Sequence, residues 1–201
     1  MLTLYHAPRT RSVRIYWLLE ELGLPYRLET VTFTPPAAAP FAQQAPFGKL
    51  PALRDDALVM FESGAILQYI LERYGAGRLA PPPGSPQRGP FLQWVHFAEA
   101  TAFPPLGTII RHTLFRQDAD VIPDAMADYR TSARAALAVV EQALDGTAYL
   151  PGPEFSGADI MMGFTLAVAQ WLGLLDDAYP KTTAYLARLE GRPAFRKATE
   201  S

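Results

Sequence analysis

The segment LAPPPGSPQRGP at residues 79–90 crowds Pro and Gly to a density that neither helix nor strand tolerates, and it parts the chain into stretches of different periodicity. A semi-rigid linker is expected over 79–87. Before it, short alternating or apolar runs interleave with helical patterns; after it, nearly every long segment reads as helix. The spacing therefore predicts an α/β domain over 1–78 and an all-α domain over 88–201.

Within the first part, LTLY (2–5) reads as a strand, and RSVRIYWLLEEL (11–22) as a helix stopped by Gly23 with Pro25 beyond. YRLETVTF (26–33) alternates as a second strand. Residues 34–47 are rich in Pro, Ala and Gln and predict only a short irregular helix. PALRDDALVMFE (51–62) predicts a hairpin turning at Asp55-Asp56, and SGAILQYILERYG (63–75) a helix with Ile66, Tyr69, Ile70 and Tyr74 at helical spacing. In the second part a helix is expected over 88–116, bent near Pro104-Pro105. Others follow over 124–145, 157–172 and 180–190, with a short one after Pro193.

Composition narrows the chemistry. The 201 residues are 49% hydrophobic and 19% charged, enough to bury a core, and a formal charge of -2 lacks the basic excess of nucleic-acid or membrane-surface binders. Small-molecule or protein partners are expected, with no nucleic acid and no membrane. The opening MLTLYHAPRTRSVRIYW carries no signal-like charge and apolar order, and no 18-residue apolar run occurs, which predicts a cytoplasmic protein. The absence of Cys removes disulfides, thiolate nucleophiles and Cys-ligated metals, so any thiol must belong to a ligand. His6, His96 and His112 show no metal-ligand spacing, and no metal is expected.

The β-α-β-α-β-β-α order with Pro51 at the head of the third strand resembles the thioredoxin-like arrangement, and both parts together resemble the glutathione S-transferase family. LYHAPRTRSVRIYWLLEELGLPY is similar to the first strand, loop and helix of bacterial and fungal members. PFGKLPAL and FESGAI resemble the glutathione-binding segments, and SGADI the helix-capping motif of the C-terminal half.

The resemblance implies a cis Leu50-Pro51 bond that turns the Leu50 backbone outward, where the cysteinyl part of glutathione pairs with it as a short added strand. Alone, Pro51 reads equally well as a residue that merely opens a strand. Ser63 is a candidate N-cap whose helix start suits the γ-glutamyl carboxylate, and Glu62 can accept from the α-ammonium group. An ordinary cap beside a first-turn acid is the plainer alternative. Lys49 is implied for the glycyl carboxylate, unless it is a solvated charge, with Gln44 a weaker candidate. Arg11 and Arg14 on the first helix could contact the ligand or its partner groups, but exposed helix charges are common and both are left outside the site.

Three hydroxyls compete to activate the thiol. Tyr5 aligns with the family's Tyr position, Ala7 stands where several members carry Ser, and Thr10 and Ser12 follow at the helix start. Thr10 is favoured, though Thr10 or Ser12 would also cap the helix and Tyr5 would serve as a buried aromatic. Lowering a thiol from ~8.5 to ~6.5 takes ~2.7 kcal/mol. One charge-assisted hydrogen bond supplies ~1.5–3 kcal/mol, and a helix N-terminus adds ~0.3–1.

Within FSGADI (155–160), Ser156 and Asp159 predict a capping box and Phe155 with Ile160 a staple, a folding role rather than a catalytic one. Walls for a hydrophobic electrophile are expected between the domains from Phe103, Pro104, Leu106, Ile110 and Phe115, for which core packing is the alternative. The resemblance thus implies a homodimeric glutathione transferase of the detoxification type. Glutathione-dependent peroxidase, isomerase or dehalogenase activity remains open, as does a non-catalytic binding module.

Overall fold

The computed structural model describes residues 1–31, 48–116 and 120–200. Gln44 and the irregular helix expected over 34–47 lie outside them. The chain forms two compact units: Met1–Pro82 together with Glu190–Ser201, and Pro83–Leu189.

The first unit is built on four strands, β1 (Leu2–His6), β2 (Tyr26–Thr30), β3 (Ala52–Asp55) and β4 (Leu58–Phe61), in the order β2-β1-β3-β4. β1 and β2 are parallel, whereas β3 is antiparallel to both β1 and β4. Helix α1 (Ser12–Leu22) makes the β1–β2 crossover, and α2 (Ser63–Tyr74) follows the hairpin. This is a thioredoxin-like sheet domain. The hairpin turns one residue later than expected, because Asp55 still pairs in the ladder while Asp56 adopts φ 50°.

Helix α1 is apolar almost all round. Val13, Ile15, Tyr16, Trp17, Leu18, Leu19 and Leu22 are buried, the pattern of a helix with packing partners on several sides. It packs on β1, on α2 and on the last helix of the chain, α8 (Pro193–Glu200). Gly23 ends it at φ 62°, donating to Glu20 while Leu24 donates to Leu19, the paired bonds of a left-handed cap. Thus α8, expected as part of the helical domain, lies with the first unit. Trp17 meets Phe195 edge-on at 4.9 Å, and the Arg192 guanidinium donates twice to Glu21, at 2.6 and 2.7 Å.

The second unit is helical: α3 (Arg88–Phe97), α4 (Phe103–Ile110), α5 (Pro123–Ala143), α6 (Gly157–Trp171) and α7 (Pro180–Glu190). The expected bend near Pro104-Pro105 is resolved as a five-residue π-helical segment, Ala98–Ala102, set immediately before α4. The wider turn places the two prolines at the start of a new helical run, where their missing N–H groups cost least. A second π segment, Arg111–Phe115, follows α4.

Asp159 organises the start of α6. It receives the Ser156 N–H at 2.7 Å, the Leu150 N–H at 2.7 Å and the buried Tyr185 hydroxyl at 2.6 Å, completing the expected capping box and extending it to α7. Burial pushes its carboxyl up to about 6, against hydrogen bonds that favour the charged form.

Candidate functional site

Strand register decides where the site residues emerge. Tyr5 stands opposite Ala52, and Ala52 opposite Phe61, so one row crosses β1, β3 and β4 near one end of the sheet. Beyond that row the chain continues from β1 into the Ala7–Arg11 loop, enters β3 from Lys49, Leu50 and Pro51, and leaves β4 into Glu62 and Ser63. Three loops distant in sequence therefore open at the same end.

Leu50-Pro51 is cis. Leu50 is buried with Ala7 and Ala52, and Tyr5 and Val31 pack against that cluster. The ladder registers of β3 begin at Ala52, so Leu50 lies just past them. Lys49, the residue before it, is exposed.

Glu62 adopts φ 72° and ψ 108°, a left-handed excursion that a non-glycine residue makes only where its surroundings demand it. Its carbonyl accepts the Ile66 N–H at 2.9 Å, so Glu62, not Ser63, is the N-cap of α2. Ser63 departs from expectation because its hydroxyl has another use. It accepts from Arg14 Nη1 at 3.0 Å, and both side chains are buried. Arg14, read from sequence as an exposed charge, is instead fully buried and ties α1 to the Glu62-Ser63 turn. Its signal was its place between Val13 and Ile15 on a helix that is apolar all round.

At the start of α1, Thr10 and Ser12 form a compact hydroxyl chain. Thr10 Oγ1 donates to the Ala7 carbonyl at 2.8 Å and lies 2.6 Å from Ser12 Oγ, which in turn lies 2.8 Å from His6 Nδ1. Ser12 is fully buried and also receives the Ala7 N–H at 3.2 Å, whereas Thr10 keeps partial exposure. His6 is buried edge-on against Tyr16, with ring centroids 5.3 Å apart. Side chains alternate along a strand, so Tyr5 faces the side of the sheet opposite His6 and this hydroxyl chain.

The apolar residues assigned to an electrophile wall belong to the helical unit and behave differently from one another. Phe103 and Leu106 are buried in its core, with Phe103 stacked on Phe164 at 6.0 Å. Packing therefore accounts for both. Pro104 and Phe115 are exposed, and Ile110 is half-buried. Among the described residues no cluster of His, Asp and Glu could hold a metal ion, and no helix is long and apolar enough to cross a membrane.

The family model of the glutathione S-transferase N-terminal domain matches residues 1–72. Glutathione S-transferase 3 of Zea mays is 30% identical, the alignment covering 98% of this chain and 92% of that protein. The chain belongs to the glutathione S-transferase family. The disulfide-bond oxidoreductase YfcG of Escherichia coli is likewise 30% identical, over 98% of this chain and 94% of that protein. Among solved structures, the glutathione transferase URE2P6 of Phanerochaete chrysosporium, in complex with oxidized glutathione, superposes with a TM-score of 0.87 at 27% identity. That match covers 99% of this chain and 94% of the other. The transferase fold thus extends over this chain.

Proposed function

We propose that the first unit binds glutathione at the sheet end beyond the Tyr5–Ala52–Phe61 row, lowers the pKa of its thiol through Thr10, and adds the thiolate to small hydrophobic electrophiles. The observation that carries this reading is the convergence of two features: a partly exposed Thr10 hydroxyl at the start of α1 and the Arg14-braced Glu62-Ser63 turn at the start of α2. The backbone of Leu50, lying past the β3 ladder, would pair with the cysteinyl residue. Backbone N–H groups at the start of α2 would hold the γ-glutamyl carboxylate, and the Glu62 carboxylate its ammonium group. Lys49 is suited to the glycyl carboxylate by charge and exposure.

Thr10 is preferred to Ser12, which is fully buried and committed to its neighbours, and to Tyr5, which faces the other side of the sheet. The thiol proton would pass to water, and the thiolate sulfur, held by the Thr10 proton, would form a bond to an electrophilic carbon as a leaving group departs or a double bond is saturated. Catalysis would rest on positioning and on stabilisation of the anion. Pro104, Ile110 and Phe115 are the apolar candidates for meeting the electrophile, with Phe103 and Leu106 supporting them from the core. A cytoplasmic, homodimeric detoxification enzyme is the setting that fits this chemistry.

Similarity to YfcG favours a second reading, in which the same thiolate attacks a disulfide, breaks its S–S bond, forms a mixed disulfide with one half and releases the other half as a thiolate. No protein cysteine is required. Calorimetry with millimolar glutathione tests the binding step, which should release heat in the native chain and much less in Glu62→Ala. A panel of aryl halides, enones, hydroperoxides and disulfides separates the chemistries. Absence of any binding heat would end the reading.

A further inference from the structure

The hydroxyl chain at the start of α1 has more close contacts than hydroxyl protons to fill them. Thr10 Oγ1 to the Ala7 carbonyl is 2.8 Å, Thr10 Oγ1 to Ser12 Oγ is 2.6 Å, and Ser12 Oγ to His6 Nδ1 is 2.8 Å. Each of these separations requires a proton between its atoms, because two lone pairs facing each other at that distance repel. Thr10 and Ser12 supply one proton each. A carbonyl supplies none. If Ser12 gave its proton to His6, then Thr10 could serve either the Ala7 carbonyl or Ser12, and the other contact would be left as a collision of lone pairs. Every contact is filled in only one arrangement: Thr10 donates to Ala7, Ser12 donates to Thr10, and His6 Nδ1–H donates to Ser12. A Ser12 bond to the Ala7 carbonyl, at 3.2 Å, would leave the 2.6 Å contact to Thr10 and would overload Ser12 with a third donor.

The backbone closes the account. Ser12 Oγ accepts from the Ala7 N–H at 3.2 Å as well as from His6, and Thr10 Oγ1 accepts from the Ser12 N–H at 3.3 Å as well as from the Ser12 hydroxyl. Both lone pairs of each oxygen are then occupied. Thr10 has nothing left to offer an incoming group except its proton.

We propose that His6, holding its proton on Nδ1, is a positioning residue that orients the Ser12 and Thr10 hydroxyls so that Thr10 acts only as a donor and thereby selects the thiolate over the thiol. A neutral S–H finds no free lone pair on Thr10, while a thiolate can share the Thr10 proton with the Ala7 carbonyl in a three-centre bond. His6 reaches no ligand in this scheme. It acts across two hydroxyls, from a buried place against the edge of Tyr16. The thiol-selecting part rests on the glutathione reading above, whereas the position of the His6 proton does not.

Two measurements test the two parts separately. Nitrogen NMR of the native chain reads the His6 ring directly, assigned by the signal that His6→Phe removes; Nδ1 should resonate as a protonated ring nitrogen. A bare Nδ1 would overturn the proposal whatever the protein binds. The second measurement is the pH midpoint of bound-glutathione thiolate absorbance, paired with the affinity for S-methylglutathione, which has no thiol proton. His6→Asn places an amide N–H where Nδ1–H stood and should keep the native midpoint. His6→Phe removes the third donor that bars the Ser12 proton from the Ala7 carbonyl; with Ser12 turned there and the Thr10 hydroxyl relaxed onto Ser12, an acceptor lone pair returns to Thr10, so the midpoint should rise by about one unit with unchanged S-methylglutathione affinity. A folded His6→Phe protein with the native midpoint would contradict the positioning role. If the native chain bound neither ligand, the glutathione reading would fail instead, and the NMR result would still stand.

Discussion

At the scale of single residues, the site depends on buried polar groups that a linear reading treats as ordinary. Thr10→Val keeps the shape of the side chain and removes the donor. The loss of one charge-assisted hydrogen bond should raise the thiol midpoint of bound glutathione by about 1–2 units, while Thr10→Ser holds it near the native value. Arg14 illustrates why part of the site was hidden. Its apolar neighbours on α1 hint at burial, but its partner, Ser63, lies 49 residues away and nothing local to α1 names it. Arg14→Lys keeps the charge but not the planar fork. Glutathione affinity should fall about tenfold by calorimetry, because the Glu62-Ser63 turn would lose its brace, and an unchanged affinity would remove Arg14 from the site. By contrast, a Pro heading β3 and an acid before α2 are local signals and were legible at once, although the cap of α2 is Glu62 rather than the expected Ser63.

Among the secondary elements, boundaries followed the sequence where the determinants were local and departed from it where they were not. Gly23 ends α1 as its position predicts, and Ser156 and Asp159 start α6 as a capping box. The π segment before Pro104 was expected only as a bend, because sequence shows that the prolines disturb the helix but not how the chain absorbs them. Asp159 also receives the Leu150 N–H and the Tyr185 hydroxyl, so Asp159→Asn would bring amide N–H groups toward existing donors. That exchange should destabilise the chain by about 2–4 kcal/mol, a fall in Tm of roughly 10 °C. The pH dependence has a definite sign. The folded carboxyl titrates at about 6, above its ordinary 3.8, so the folded chain binds this proton more tightly than the unfolded chain between those values. Its contribution to stability grows as pH falls through that window and shrinks as pH rises. Denaturant midpoints should therefore show a larger penalty for Asp159→Asn at pH 5 than at pH 7.

Over the whole molecule, two compact units were legible from the Pro-rich break, but the membership of α8 was not. That helix follows the helical segment in sequence yet packs on α1, through Phe195 on Trp17 and the paired bonds of Arg192 to Glu21. Glu21 also accepts from Trp17 Nε1 at 2.8 Å, so Glu21→Ala removes the acceptor of three N–H groups on two side chains at once. A loss of about 2–3 kcal/mol is expected in equilibrium unfolding. The fold and its family carry the chain to a transferase-like body, and function then depends on whether the sheet end ionises a bound thiol. The most direct test is the ultraviolet thiolate absorbance of protein-bound glutathione as pH is varied, which needs no knowledge of the electrophile. A midpoint about two units below the free thiol is the predicted result. Tight binding with an unshifted midpoint would contradict it and leave a protein that holds glutathione without activating it.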